Sequence, residues 1–309
     1  MRELVEGTVA QRTHSWLRLS LVGAIGVILL AVTVESIRLG EVLPSLSQYY
    51  YSPARNIFVG ALIAASVALL ALSGRNIESV LLDLAAPLAA LTALVPTRTV
   101  PHAVPASGLA CPPGMTACVP VQTVPEVDNG VTVFVVAVCV LIVVGITLVL
   151  RLPRGEPGGF SARARVAVAT TGAALIVAGV VLAARTPTAD GQTVLLDRVH
   201  FLAAALFLLM IGAVAVLNAF VRTGQRTAAL GERAVDIAIA GLLLADLIVS
   251  VWAIWFAPPG SNAVFWVEVV ALVLIASFFA VQTITRRADV DALALAARVE
   301  RLAPLRARR

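Results

Sequence analysis

The sequence predicts an all-α protein, a polytopic transmembrane helix bundle of about eight spans. Three observations carry that prediction. Of 309 residues, 60% are hydrophobic and only 13% are charged, whereas a soluble domain carries about 25% charged residues. The mean hydropathy is +0.95. The apolar residues also gather in separate blocks of roughly 20, the length that crosses a bilayer core, and not in the amphipathic stripes of a water-facing globule.

Taken in order, the blocks cover residues 16–35, 56–72, 77–95, 131–150, 166–184, 199–221, 235–256 and 264–285. The first follows Arg2 and Arg12, as a signal peptide would, but ends at Glu35-Ser36 with no Ala-x-Ala site. It therefore reads as an uncleaved anchor. The second and third are joined by Ser73-Gly74-Arg75-Asn76, a tight-turn sequence that makes them antiparallel neighbours. The third is the weakest block, because Asp83 and Pro87 lie inside it. Between blocks three and four, residues 96–130 form a loop rich in Pro, Val, Thr and Ala, which reads as an extended external cap. Pro258-Pro259-Gly260-Ser261-Asn262 turns block seven into block eight. Residues 1–285 thus make the bundle. Residues 286–309 form a basic tail with Val290, Leu293, Ala297 and Leu302 near helical spacing. The tail is expected to be an amphipathic helix on the inner leaflet.

Arginine placement orients the bundle. With the N-terminus cytoplasmic, the inner segments hold 18 of the 23 arginines and the outer segments hold five: Arg38, Arg55, Arg98, Arg185 and Arg198. Basic residues favour the cytoplasmic side, so both termini are expected inside a plasma membrane. Trp16 marks the inner end of the first block, and Trp252, Trp255 and Trp266 mark the outer ends of the last two. Amphipathic rings collect at such interfaces.

The same counts narrow the chemistry. There is no lysine, which excludes a P-loop lysine, a Schiff base and a lysine general base. The arginines sit between apolar blocks and not on one basic face, so no nucleic-acid partner is implied; membrane lipids, anionic ones included, are the implied partners. Three histidines, His14, His102 and His200, are scattered along the chain, so neither a metal site nor a cofactor is expected. No His-Glu-x-x-His, Gly-x-Ser-x-Gly or Walker pattern occurs. Ser47 or Ser52 with His200 is the one conceivable hydrolase pair. Cys111 and Cys118 flank Pro112-Pro113-Gly114 in the external loop and are expected to pair in an oxidising compartment. Cys139 lies inside a block and should stay a thiol.

Asp246, near the middle of block seven, is the deepest charge; an acid there costs about 2.5–3.5 kcal/mol on insertion scales. It reads either as a proton or cation site or as a structural acid bonded to a neighbouring helix. Asp83, Glu268 and Asp236 lie nearer the interfaces and read as helix-end or snorkelling charges. At the outer face, Arg55 and Asn56 open block two, and Asp197, Arg198 and His200 open block six. Two helix N-termini with an arginine each, beside Tyr50 of the Tyr49-Tyr50-Tyr51 triplet, could hold an anionic headgroup. The competing reading is plain interfacial anchoring.

One element has a familiar form. Ser45-Leu-Ser-Gln-Tyr-Tyr-Tyr-Ser-Pro-Ala-Arg-Asn-Ile-Phe-Val-Gly60 resembles an element of a group of uncharacterised bacterial multi-spanning membrane proteins. Leu84-Ala-Ala-Pro-Leu-Ala-Ala-Leu-Thr-Ala-Leu-Val-Pro-Thr97 and His200-Phe-Leu-Ala-Ala-Ala-Leu-Phe207 are similar to the same group. The resemblance implies an architecture and no activity. Three function classes follow: a membrane protein that binds an anionic lipid or amphiphile at its external face, a transporter or channel using Asp246, and an intramembrane lipid-modifying enzyme.

Overall fold

The structure, a computed structural model, describes the chain apart from residues 1, 73–76, 101–107, 152–161, 190, 221–229, 259–260 and 307–309; the side chains of 2–11, 77, 162, 230–232 and 285–306 are also left undescribed. The all-helical expectation holds. The described residues form eight α-helices: α1 (Arg2–Leu39), α2 (Arg55–Ala71), α3 (Ile77–Leu94), α4 (Val124–Arg151), α5 (Ala162–Arg185), α6 (His200–Phe220), α7 (Leu230–Phe256) and α8 (Ala263–Arg306). A 3₁₀ turn, Leu46–Tyr51, precedes α2, and a π-turn, Leu195–Val199, precedes α6. The described residues contain no β-strand beyond two isolated bridges, Thr99 with Cys118 and Pro187 with Thr193.

Six of the helices, α1, α4, α5, α6, α7 and α8, are long and apolar enough to cross a membrane. The 17 residues of α2 rise only about 25 Å at 1.5 Å each, short of a core about 30 Å thick. The helix α3 carries Glu78, Asp83 and Pro87.

Packing places six helices in a ring. In order around it, α1 packs on α2, α2 on α3, α3 on α6, α6 on α7, α7 on α8, and α8 returns to α1. The remaining two, α4 and α5, pack on each other and lean on α3 from outside the ring. The helix α3 is consequently wrapped by protein. Ala85, Ala86, Ala89 and Ala93 are nearly inaccessible on it, and these small side chains let neighbouring backbones approach closely. Ser66 of α2 donates to the carbonyl of Ala86, one residue before Pro87. One core cluster fills the ring, with Leu69, Ala85, Ile211, Leu243, Phe278 and Phe279 at its centre. A second joins α3 and α6 to α4 and α5 through Leu91, Val127, Val131, Val180 and Ala203.

Several boundaries differ from the sequence reading. The helix α1 runs from Arg2 to Leu39, well beyond the block at 16–35 at its start. The helix α4 begins at Val124, seven residues before the apolar block at 131, because Glu126 supplies the acidic first turn that a helix N-terminus favours. The cap between α3 and α4 is correspondingly shorter than 96–130. The helix α8 runs without a break through residues 285–306, since nothing between its apolar block and Pro304 interrupts it. At 44 residues it is about 66 Å long, more than twice the bilayer core, so its last turns project beyond the membrane.

Candidate functional site: a chamber beneath the cap

One end of the bundle, here named the cap end, carries the 3₁₀ turn and the segments that follow α3 and α5. Its organiser is the tyrosine triplet. A 3₁₀ helix turns every three residues, so three consecutive side chains point in three directions. The Tyr49 ring is fully buried; its hydroxyl contacts Ser36 Oγ of α1 and accepts the Leu43 N–H at 3.2 Å. Tyr50 accepts from Arg55 Nη2 at 2.9 Å and lies 4.3 Å beneath that guanidinium. Tyr51 donates to the Thr97 carbonyl at 2.8 Å. Burial pushes the Tyr50 phenol up despite Arg55, and pushes Tyr51 up further; Tyr51 stays protonated, as its bond to the carbonyl requires.

The rest of the cap is pinned in the same manner. Ser47 Oγ accepts the Thr97 N–H at 3.0 Å. Gln192, in the α5–α6 connection, accepts from the Val119 N–H at 3.3 Å and donates to the Val119 carbonyl at 3.0 Å. A disulfide joins Cys111 to Cys118, and Cys139 is a free, exposed thiol on α4. Arg98 and Arg198 both reach Asp197, at 3.1 and 3.2 Å.

Beneath this roof lies a chamber of about 100 Å³ between α2, α3, α6 and α8. Its walls are apolar: Phe58 and Leu62 of α2, Ala89 of α3, Ala204, Phe207 and Leu208 of α6, and Ala271, Leu272 and Ile275 of α8. Four polar residues line it as well, Ser47, Thr92, His200 and Glu268. Helical spacing puts each wall on one face. His200, Ala204, Phe207 and Leu208 fall at i, i+4, i+7 and i+8, and Glu268, Ala271, Leu272 and Ile275 at i, i+3, i+4 and i+7. His200 Nδ1 lies 2.6 Å from the Val95 carbonyl and therefore donates to it, which leaves Nε2 of the neutral ring as an acceptor. Glu268 accepts the Leu46 N–H at 2.6 Å and a bond from Ser45. That carboxylate ties α8 to the roof, and the Phe265 N–H bonded to the Pro44 carbonyl at 3.0 Å does the same.

The residues singled out from sequence fall in separate settings. His200 is buried on the chamber. Arg55 is held by Tyr50 and by Glu126 of α4, with which it makes a close ion pair. Asn56 is exposed. The Arg198 side chain is 78% exposed on Asp197. Tyr50 and Arg55 thus come together with Glu126, while neither arginine lines the chamber. Asp246 is buried in α7 with Oδ2 lacking a hydrogen-bond partner. Asp83 is half-buried on α3. Ser47 and His200 share the chamber, but the Ser47 oxygen and His200 Nδ1 are both engaged with backbone groups. Among the described residues, no group of three or more His, Cys, Asp or Glu could hold a metal ion.

Sequence reasoning missed Glu268 as a lining residue, because its position near a helix start suggested a snorkelling charge. The available signal was its spacing: it shares a face with Ala271, Leu272 and Ile275, which an exposed charge would not. No protein-family model, curated protein or solved structure matches the chain.

Proposed function

We propose that this integral membrane protein crosses a bacterial-type plasma membrane eight times, with both termini in the cytoplasm, and binds a slender amphiphile in the chamber beneath its external cap. The arginine bias supports cytoplasmic termini, and the place of α2 and α3 within the ring supports eight crossings. The shared tyrosine-triplet element supports placing the chain with the multi-spanning bacterial proteins it resembles. The observation that carries the binding reading is the chamber itself, an apolar space with Glu268, His200 and Ser47 at its roof. At about 100 Å³ it is smaller than the roughly 300–1,000 Å³ pockets of drug-sized ligands. It takes a single chain end or a small apolar group, not a whole lipid. Glu268 offers acceptor oxygens at the roof, so the favoured polar end is a hydrogen-bond donor.

The test is native mass spectrometry of the full-length protein extracted in mild detergent. Wild type should carry a bound amphiphile. Ala204→Phe, which fills the chamber, should lose it. Glu268→Gln should weaken it by about 0.5–1.5 kcal/mol, the net worth of a hydrogen bond. Retention of the same molecule by a folded Ala204→Phe protein would overturn the reading.

A second reading, coupled transport, is favoured by the buried Asp246 carboxylate whose Oδ2 has no partner. Such acids mark ion and proton paths. It predicts uptake into proteoliposomes driven by a pH gradient and abolished by Asp246→Asn; equal uptake in the variant would dismiss it.

A further inference from the structure

The α4–α5 hairpin carries a second feature, outside the ring and remote from the chamber walls. A groove of about 460 Å³ runs along it, lined by Ile142 of α4 and by Ala174, Val177, Ala178, Val181 and Leu182 of α5, and ending at Arg185. The α5 residues recur at i, i+3, i+4, i+7 and i+8, a single helix face about 12 Å long. Ala174 and Ala178 are exposed and small, so the face is hollow where larger side chains would fill it. Apart from Arg185 the lining is apolar.

Arg185 differs from the other arginines at this end. Arg38 faces Glu35, Arg55 faces Glu126, and Arg98 and Arg198 both face Asp197. Arg185 is exposed and, among the described residues, has no carboxylate partner. It closes the last turn of α5, at the end of an apolar span that Arg163 and Arg185 bracket.

We propose that this groove is a binding site for an anionic phospholipid of the leaflet at the cap end, its phosphate on the Arg185 guanidinium and one acyl chain along the Ala174–Ala178–Leu182 face. Charge complementarity selects the occupant. A planar guanidinium suits a phosphate, and an apolar slot opening on the bilayer suits a chain. A zwitterionic lipid fills the slot equally well but carries an ammonium that the guanidinium repels.

The experiment uses the full-length protein exchanged into detergent with equimolar phosphatidylglycerol and phosphatidylcholine, read by native mass spectrometry. Wild type should retain phosphatidylglycerol preferentially. Arg185→Gln should cut that preference about fivefold, the worth of one basic side chain near an anionic surface, while Arg198→Gln leaves it intact. Ala178→Trp should displace both lipids. If Arg185 only offsets the carbonyl end of α5, Arg185→Gln lowers the melting temperature without moving the lipid preference, and the proposal is wrong. A protein dimer occupying the groove in place of lipid would overturn it too. The chamber variant Ala204→Phe keeps this lipid whether or not the chamber binds an amphiphile, so the two sites fail independently.

Discussion

The six-helix ring and the α4–α5 hairpin are both built from apolar sequence, yet they use it in opposite ways. In the apolar windows of α4 and α5 only 11% and 6% of residues are buried, against 33% in that of α6. The hairpin presents Val136, Val140, Leu175 and Leu182 outward, where a bilayer is their solvent. The ring turns polar groups inward instead. Asp236, Asp246, Asn218, Gln282 and His200 are all buried on α6, α7 and α8. Buried polar groups are costly and need partners. Where they accumulate inside a membrane bundle, a site is the default expectation. Hydropathy alone therefore finds the helices that face lipid and says little about which helices enclose the site.

If that contrast is right, truncations should separate the two regions sharply. Phe278→Ala, at a fully buried ring position, should cost about 3–5 kcal/mol in detergent unfolding. Leu182→Ala, with the side chain 68% exposed, should barely move the same curve. Equal losses would mean that the hairpin is packed by something the single chain does not contain. Next in size comes the disulfide. Reducing Cys111–Cys118 opens a short loop and should cost about 2–3 kcal/mol. Because the bridge lies in the cap, hydrogen exchange should rise at 108–123 and not along α7. Tyr49→Phe removes a hydroxyl held between Ser36 and the Leu43 N–H and should cost about 1 kcal/mol. The smallest effect is that of pH. Tyr51 is raised above its ordinary value of 10 by burial, so the unfolded chain ionises first. Stability contributed by the protonated ring is present below pH 10 and is lost as pH climbs above it. Tyr51→Phe should flatten that alkaline decline.

The helices are legible in the sequence because periodic apolar blocks need no knowledge of neighbours. Those at 56–72 and 77–95 match α2 and α3 to within a residue. The start of α4 is not legible, since Glu126 and Asp128 look like loop residues until a helix N-terminus accounts for them. The tyrosine triplet stands out in sequence, but its role depends on a 3₁₀ turn that no periodicity announces. His200 is a candidate by sequence and does line the chamber. Arg55 and Arg198 group with it in sequence because all three lie at one membrane depth. Depth is readable from sequence; azimuth around a bundle is not. That missing angle sends Arg55 to Glu126 and Arg198 to Asp197, and turns Glu268 inward.

Counting only the six helices that pass on length and composition, or all eight, leaves every later loop on the same side, because α2 and α3 enter as a pair. Only the link between them distinguishes the two. A Gly74→Cys protein that also carries Cys139→Ala, probed in intact cells with a membrane-impermeant thiol reagent, tests the eight-crossing ring most directly. Eight crossings predict labelling at position 74 only after the membrane is permeabilised, with full protection from outside. Labelling from outside in intact cells would make α2 and α3 a re-entrant pair and would contradict the eight-crossing ring.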